Sequence, residues 1–305
     1  MKHEAARTLT WPQVHSLLLI QKLLLVTLSL MIAWPASVHA QRRLKTTTPI
    51  YAESENGGLT EVDLDRRIHD YDIAITFEPT SVTAHYNRAR LLEARGNADA
   101  ALVDYNTVIE LKPRYAAAYN NRALIYFSKG RLDEAVNDWN RAIQLDRHYA
   151  EAYTNRGVAL AIKGNMDAAL MDQNRAIDLD PRFGNAYFNR GVLELSKANL
   201  AAAAADFDCA ISLMPNFAGA YLNRGIVYFA LNHFEEALTS YQQAILLDPN
   251  RAVVYLNRGI LYLVLGRESA AAGDFAKCLE LDPSLKPIVE NKVKIAKKRL
   301  ASEVR

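Results

Sequence analysis

Apolar positions recur along most of this chain with the 3.6-residue period of amphipathic helices, and the whole pattern then repeats every 34 residues. Six units are in register, at 82–115, 116–149, 150–183, 184–217, 218–251 and 252–285. Each predicts two antiparallel helices separated by a short turn. The turn carries Gly96, Gly130, Gly164 and Gly266, where a residue in the left-handed region can end the first helix. Ala198 and Asn232 stand there in the fourth and fifth units. Asn tolerates that conformation. Ala does not, so Asn199 is expected to take it over.

The second helix opens near Ala101, Ala135, Ala169, Ala203, Ala237 or Ala271, small residues that let helices approach. A bulky ring follows one turn on at Tyr105, Trp139, Phe207, Tyr241 and Phe275, with Gln173 the exception. Pro113, Pro181, Pro215, Pro249 and Pro283 close these helices, and Arg147 fills the one gap. A strict period of this kind describes a stack of like units that bury a continuous core between neighbours, so a lined surface is a better place to seek function than a catalytic cleft.

These residues resemble the tetratricopeptide repeat family. The resemblance rests on the period and on the aromatic opening the first helix at Tyr119, Tyr153, Tyr187, Tyr221 and Tyr255. It also rests on the small residue in mid-helix, Ala89, Ala123, Gly157, Gly191, Gly225 or Gly259, with the second-helix Ala and the closing Pro. His85, Arg147 and Ala198 depart from the pattern. The resemblance implies an all-α, right-handed superhelical solenoid of antiparallel helix pairs, acting as a non-enzymatic scaffold for proteins or extended peptides.

Residues 60–81 match a second helix alone, through Asp70-Tyr71, Ala74-Ile75, Phe77 and Pro79, and read as an N-terminal half-repeat cap with Thr60 and Asp63 at its start. Residues 286–305 read as a C-terminal capping helix with an apolar stripe of Val289, Val293, Ala296 and Leu300.

The most regular polar feature is the pair Asn-Arg, present once per unit. Arg88, Arg122, Arg156, Arg190 and Arg258 each have an acid sixteen residues on: Asp104, Asp138, Asp172, Asp206 and Asp274. That spacing crosses the turn, so the two can meet between the helices of one unit and act as a structural ion pair. Arg224 faces Ser240 instead.

The Asn lies about 100° round the helix from its Arg and needs another partner. In the resembled family, first helices line a concave inner surface, and an Asn at this place can grip peptide backbone. The resemblance thus implies a ladder of Asn87, Asn121, Asn155, Asn189, Asn223 and Asn257. Arg90, Leu124, Val158, Val192, Ile226 and Ile260 follow three residues later on the same face, with Phe127 and Phe229 one turn beyond. Some family members clamp a C-terminal carboxylate with Lys and Arg; with Arg90 the main cation of this face, no such clamp is expected.

Charge and composition narrow the partner. Residues 60–285 hold 23 basic and 29 acidic residues, which argues against nucleic acid, whereas 286–305 hold 7 basic and 2 acidic. Neither a phosphate loop, a nucleophile elbow nor a metal-ligand cluster is present, so no enzyme, cofactor or metal is expected. Cys209 and Cys278 are two units apart and read as small buried side chains.

At the N-terminus, Lys2, Arg7 and Lys22 precede the apolar run Leu23–Ala33 and Val38-His39-Ala40. This reads as a signal peptide over 1–40, followed by a flexible linker at 41–59. The expected location is exported: periplasmic or cell envelope in a bacterium, otherwise secreted. The alternative is a membrane-associated organiser held by an uncleaved N-terminus or by the basic C-terminal helix.

Overall fold

A computed structural model describes residues 61–303. The expected signal peptide, its cut after Ala40, the 41–59 linker and the Thr60 cap lie outside the described residues. Among the described residues there are fourteen α-helices and no strand. They begin with α1 (Glu61–Phe77) and then run as six pairs. The pairs are α2 (Val82–Ala94) with α3 (Ala98–Leu111), α4 (Ala116–Ser128) with α5 (Leu132–Leu145), and α6 (Ala150–Ile162) with α7 (Met166–Leu179). They continue as α8 (Gly184–Ser196) with α9 (Leu200–Leu213), α10 (Ala218–Ala230) with α11 (Phe234–Leu247), and α12 (Ala252–Val264) with α13 (Glu268–Leu281). A short 3-10 turn, Pro283–Leu285, leads into α14 (Lys286–Glu303).

The chain forms two compact units, divided between Pro181 and Arg182. The N-terminal unit holds α1 to α7 and the C-terminal unit α8 to α14. Within each, every first helix packs along its own second helix and against the second helix of the preceding pair. Each unit is therefore an all-α solenoid of stacked helix pairs.

Acids in the first turn favour the start of several second helices, Asp133 and Glu134 in α5 and Glu235 and Glu236 in α11, where the helix dipole favours negative charge; α9 has none. Their inner faces are dry. Ala101, Ala135 and Ala237 are fully buried, as are Tyr105, Trp139, Phe207 and Tyr241. The small first-helix residue is forced by that ring. A Cβ on Gly225 would stand 2.5 Å from the Tyr241 ring, and one on Gly259 2.7 Å from that of Phe275. Contact distances that short are repulsive, so these helix pairs close only with glycine there.

Ala198 corrects the expectation for the fourth turn. It adopts the left-handed conformation itself, φ 62°, as does Asn232 at φ 63°. Asn199 keeps φ −80° because it is the N-cap of α9, and its amide donates to the Glu194 carbonyl at 2.9 Å. Moving the left-handed residue by one would break both roles, so Ala198 carries the strain. The cysteines also divide: Cys278 is buried, but Cys209 is exposed, because it lies on the outer side of α9, turned away from the ring Phe207.

At the chain's C-terminal end, Leu285 and Val289 are buried and Ile288 and Val293 half cover the last core cluster. The side chains of Ala296 and Leu300 lie outside the described residues.

Candidate functional site

Each arginine of the repeated pair is held more fully than a single ion pair. Arg122 grips Asp138 with both prongs of its fork, Nε to Oδ2 at 2.7 Å and Nη2 to Oδ1 at 2.8 Å. Arg88 with Asp104, Arg156 with Asp172, Arg190 with Asp206 and Arg258 with Asp274 repeat this bidentate geometry. Two parallel charged hydrogen bonds fix orientation as well as energy.

The third nitrogen reaches into the previous pair. Arg88 Nη1 donates to Asp72, Arg122 Nη1 to Asn106, Arg156 Nη1 to Asn140 and Arg224 Nη1 to Asp208, at 2.7–3.0 Å. One guanidinium thus ties its own helix pair shut and ties that pair to its predecessor. Tyrosines three residues before and four after close over its faces. Arg122 lies 5.6 Å from the Tyr119 ring and 5.7 Å from that of Tyr126, and Arg224 and Arg258 are sandwiched likewise. Burial pulls the Arg122 guanidinium down, but the hydrogen bonds and charge of Asp138 outweigh it and hold it above its ordinary value. This second partner stands sixteen residues before the Arg, a spacing as regular as the first but one that crosses a repeat boundary.

His85 replaces the opening aromatic and keeps its contact. Its Nε2 lies 3.0 Å from the Pro79 carbonyl, matching Tyr119 to Pro113 at 3.2 Å and Tyr255 to Pro249 at 3.0 Å. Its Nδ1 lies 2.8 Å from Asp104, adding to the clamp of the first pair.

The asparagines correct the expected ladder. Asn121, Asn155 and Asn223 are 3% exposed and Asn257 is 2% exposed; only Asn87 and Asn189 are half-exposed. In the N-terminal unit the reason is the neighbouring pair. Asn121 Nδ2 donates to the Tyr86 hydroxyl at 3.1 Å, and Asn155 Nδ2 to Asn120 Oδ1 at 3.3 Å. Asn120 in turn donates to Asn121 Oδ1 and accepts from Trp139 Nε1, both at 3.1 Å. The amides therefore stitch successive first helices together and do not form a six-rung row open to a partner. In the C-terminal unit the residue facing them is Phe or Leu, with no acceptor. Asn257 turns back onto the Val253 carbonyl at 2.8 Å, and Asn223 Nδ2 is left buried without an acceptor. Asn120 was missed; the buried indole of Trp139, which needs an acceptor, was its signal.

The apolar neighbours separate by unit. In the N-terminal unit Arg90, Leu124 and Val158 are half-exposed, at one position per first helix, while Phe127 is buried against Trp139 with ring centres 5.9 Å apart. In the C-terminal unit Val192 is half-exposed, but Ile226, Ile260 and Phe229 are buried in the core cluster. Arg90 lies 5.9 Å from the Tyr86 ring, beside Tyr115, whose ring centre is 4.9 Å from that of Tyr86. Glu93, one turn along, accepts a hydrogen bond from the fully buried Tyr105 hydroxyl at 2.8 Å. Burial lifts its carboxyl to about 7, against the lowering pull of that bond and of Arg90.

Thirty-four residues beyond Asn257-Arg258 the pair recurs as Asn291-Lys292 on α14, a seventh copy hidden by the Lys. Lys292 is half-buried, and burial pulls its ammonium down. Among the described residues no helix is long and apolar enough to cross a membrane.

Comparison with known proteins agrees with this architecture. The family described as "TPR repeat" matches residues 89–130, 123–164 and 227–266, and that described as "Tetratricopeptide repeat" matches 150–183 and 252–285. Together they cover just over half of the chain. No curated protein sequence matches. Among solved structures, the APC/C hetero-tetramer Cut9-Hcn1 gives a TM-score of 0.68 at 18% identity, covering 77% of this chain and 46% of that one. The chain thus spans a little under half the length of that relative. Pseudomonas aeruginosa pilF gives 0.60 at 19% identity, covering 72% and 94%. YrrB, described as "a TPR protein with an unusual peptide-binding site", gives 0.50 at 24% identity, covering 61% and 96%. With six helix pairs in one register, each locked by the same arginine, and repeat matches along both units, the chain belongs to the tetratricopeptide repeat family.

Proposed function

We propose that this protein is a non-enzymatic interaction scaffold that holds an extended segment of a partner protein along the exposed face of its first helices. The observation that carries the reading is the row Arg90, Leu124 and Val158 in the N-terminal unit. Each stays half-exposed at the same position of α2, α4 and α6, while the residues around it are buried and locked by the Arg122 and Arg156 clamps. A rigid backbone that presents apolar side chains at a fixed interval suits a chain laid across it, since little ordering entropy remains to be lost on the scaffold side. The buried Asn121 and Asn155 act as struts for this surface. The likeness to YrrB, a peptide-binding protein by its description, supports the same use of the fold.

We further propose that the protein works outside the cytoplasm, on the reading of residues 1–40 as a signal peptide, in assembly or quality control at a cell envelope. N-terminal sequencing of exported protein tests this part: a start at Gln41 is expected, and a start at Met1 would reject it.

The binding role is tested by affinity capture from an envelope fraction with the wild type and with Leu124→Glu/Val158→Glu. Both side chains are half-exposed but also border the core of α4 to α6, so the fold of the variant is checked by circular dichroism, and the folded variant is expected to lose its captured protein. Equal recovery of the same protein by both would reject the face assigned here.

A further inference from the structure

Two helices lack the partner that their register calls for. In the 34-residue register α1 is a second helix: Asp70, Tyr71, Ile75 and Pro79 stand one unit before Asp104, Tyr105, Ile109 and Pro113. α14 is a first helix: Asn291, Lys292 and Val293 stand one unit after Asn257, Arg258 and Gly259. It runs 18 residues where α12 runs 13, and Leu300 stands where Gly266 turns the chain. α14 therefore continues past the point at which every other first helix gives way to its second.

The faces that would meet those partners are open. Tyr105 is fully buried and Asp104 is 1% exposed, whereas Tyr71 is half-exposed and Asp70 is exposed. Phe77, at the end of α1, is 86% exposed, although a terminal helix of an array is expected to turn a polar face to water. On α14, Val293 and Ile295 are half-exposed at positions where Ala89, Ala123, Val227 and Leu261 are fully buried. The charges match this pattern. Asp65 and Asp72 pair with Arg95 and Arg88 of α2, and Asp63 pairs with Arg66. Asp70 has no ion pair or side-chain hydrogen bond among the described residues, and the half-buried Lys292 has none either. In five helix pairs the same two register positions are joined by the bidentate clamp at 2.6–2.9 Å.

The residues preceding α1 do not have the sequence of its missing first helix. In register, Ser54 stands where the arginine would be, Glu55 where the small residue would be, and Gly57-Gly58 follow. A second copy of the chain does carry a first helix with an open face. The charges favour it: α1 holds five acidic and two basic residues, and 286–305 hold two acidic and seven basic.

We propose that α14 of one copy docks on α1 of another, completing a seventh helix pair in which Lys292 meets Asp70 across the junction. The contact is heterologous, so each addition leaves one α1 and one α14 open, and copies join head to tail. The junction is looser than an internal pair. Arg67 replaces the small Ala101 and Val293 replaces Gly259, so the helices stand further apart, and Lys292 lacks the arginine fork. A single helix pair with one exposed charge contact gives a reversible, salt-sensitive association.

Sedimentation velocity of the full chain from about 1 to 200 μM tests this, a range suited to a small, transient interface. Wild type is expected to grow past dimers as its concentration rises, and to need roughly tenfold more protein in about 1 M than in about 0.1 M salt. Asp70→Lys and Lys292→Glu should each raise the required concentration tenfold or more, and Lys292→Arg should lower it. Asp70→Lys/Lys292→Glu in one chain should restore growth. An equimolar mixture of the two single variants should form dimers and stop there, because one supplies the only sound α14 and the other the only sound α1. Those dimers also show that both variants are folded. Wild type that stays monomeric throughout overturns the proposal, whether residues 41–59 or the chain's own α14 cover α1. Association that the single variants leave unchanged, or a mixture that grows past dimers, assigns the contact to another surface and overturns it equally.

Discussion

Arg224 reaches back across the repeat boundary to Asp208, Nη1 to Oδ1 at 3.0 Å. It does so where Ser240 stands in place of the aspartate that five other arginines find in their own pair. Ser240 still accepts from Arg224 Nε at 3.1 Å, while its hydroxyl donates to the Glu236 carbonyl at 2.8 Å. In α4 and α6 the reaching nitrogen meets a neutral Asn, Asn106 or Asn140. The negative charge has therefore moved from one side of Arg224 to the other. Asp208→Ala is expected to cost about 1–2 kcal/mol, because it removes the one carboxylate that pairs with the half-buried Arg224 guanidinium among the described residues. Ser240→Asp added to Asp208→Ala should recover most of that loss. Urea unfolding of the single and double variants measures it; equal stability of the two would show that the charge was never shared.

Asp138→Ala should be more damaging. Arg122 would lose both prongs of its fork while remaining under the Tyr119 and Tyr126 rings. Leaving such a cation unpaired costs on the order of 2–4 kcal/mol. In a stacked array the loss should be local, so hydrogen exchange is expected to rise first in α4 and α5 and then in their neighbours. Uniform exchange across the N-terminal unit would show instead that the pair is not a local lock.

The arginine clamp was legible in the sequence because both ends of each pair fall inside one period, and a spacing of sixteen across a turn leaves little choice of geometry. Its backward half, to Asp72, Asn106, Asn140 and Asp208, obeys an equally regular spacing but crosses a boundary. The fate of the asparagines was not legible in that way. Whether an amide at Asn121 or Asn223 is free depends on what the preceding first helix places against it. That is a hydroxyl at Tyr86 for the one and a ring for the other. A repeat motif holds the first residue constant and lets the second vary, so the motif alone cannot show which amides are struts. The same argument explains Ile226 and Phe229, which share positions with the half-exposed Leu124 and the buried Phe127 yet lie inside a larger apolar cluster.

Ala198→Gly should stabilise the C-terminal unit. Ala198 holds φ 62° with its Cβ crowded against the backbone. Glycine occupies this place in four other turns, with φ between 70° and 86°. Removing the Cβ relieves roughly 1 kcal/mol of strain, part of which the greater freedom of the unfolded glycine takes back. A net gain of up to about 0.5 kcal/mol is expected from denaturant unfolding. Ala161→Gly, inside α6, should lose a similar amount, and a loss at both positions would mean that Ala198 is not strained.

Glu93 gives the protein a stability that depends on pH near neutrality. In the unfolded chain its carboxyl ionises near 4.5, whereas burial in the folded unit holds the proton to about 7. Between these values the unfolded state gives up its proton and the folded state keeps it, so folding weakens as pH rises from about 4.5 to 7 and is then level. Above that range the ionised carboxylate keeps the Tyr105 hydroxyl at 2.8 Å and lies near Arg90, which limits the loss to on the order of 1–3 kcal/mol. Glu93→Gln retains an oxygen to accept from Tyr105 and has no proton to lose. Other carboxylates contribute the opposite slope to both proteins, so the difference between them isolates this one. Unfolding free energies at pH 5, 6, 7 and 8 should show wild type losing stability relative to Glu93→Gln over that window and running parallel to it above. Curves parallel throughout would mean that the Glu93 proton leaves at the same pH whether the unit is folded or not.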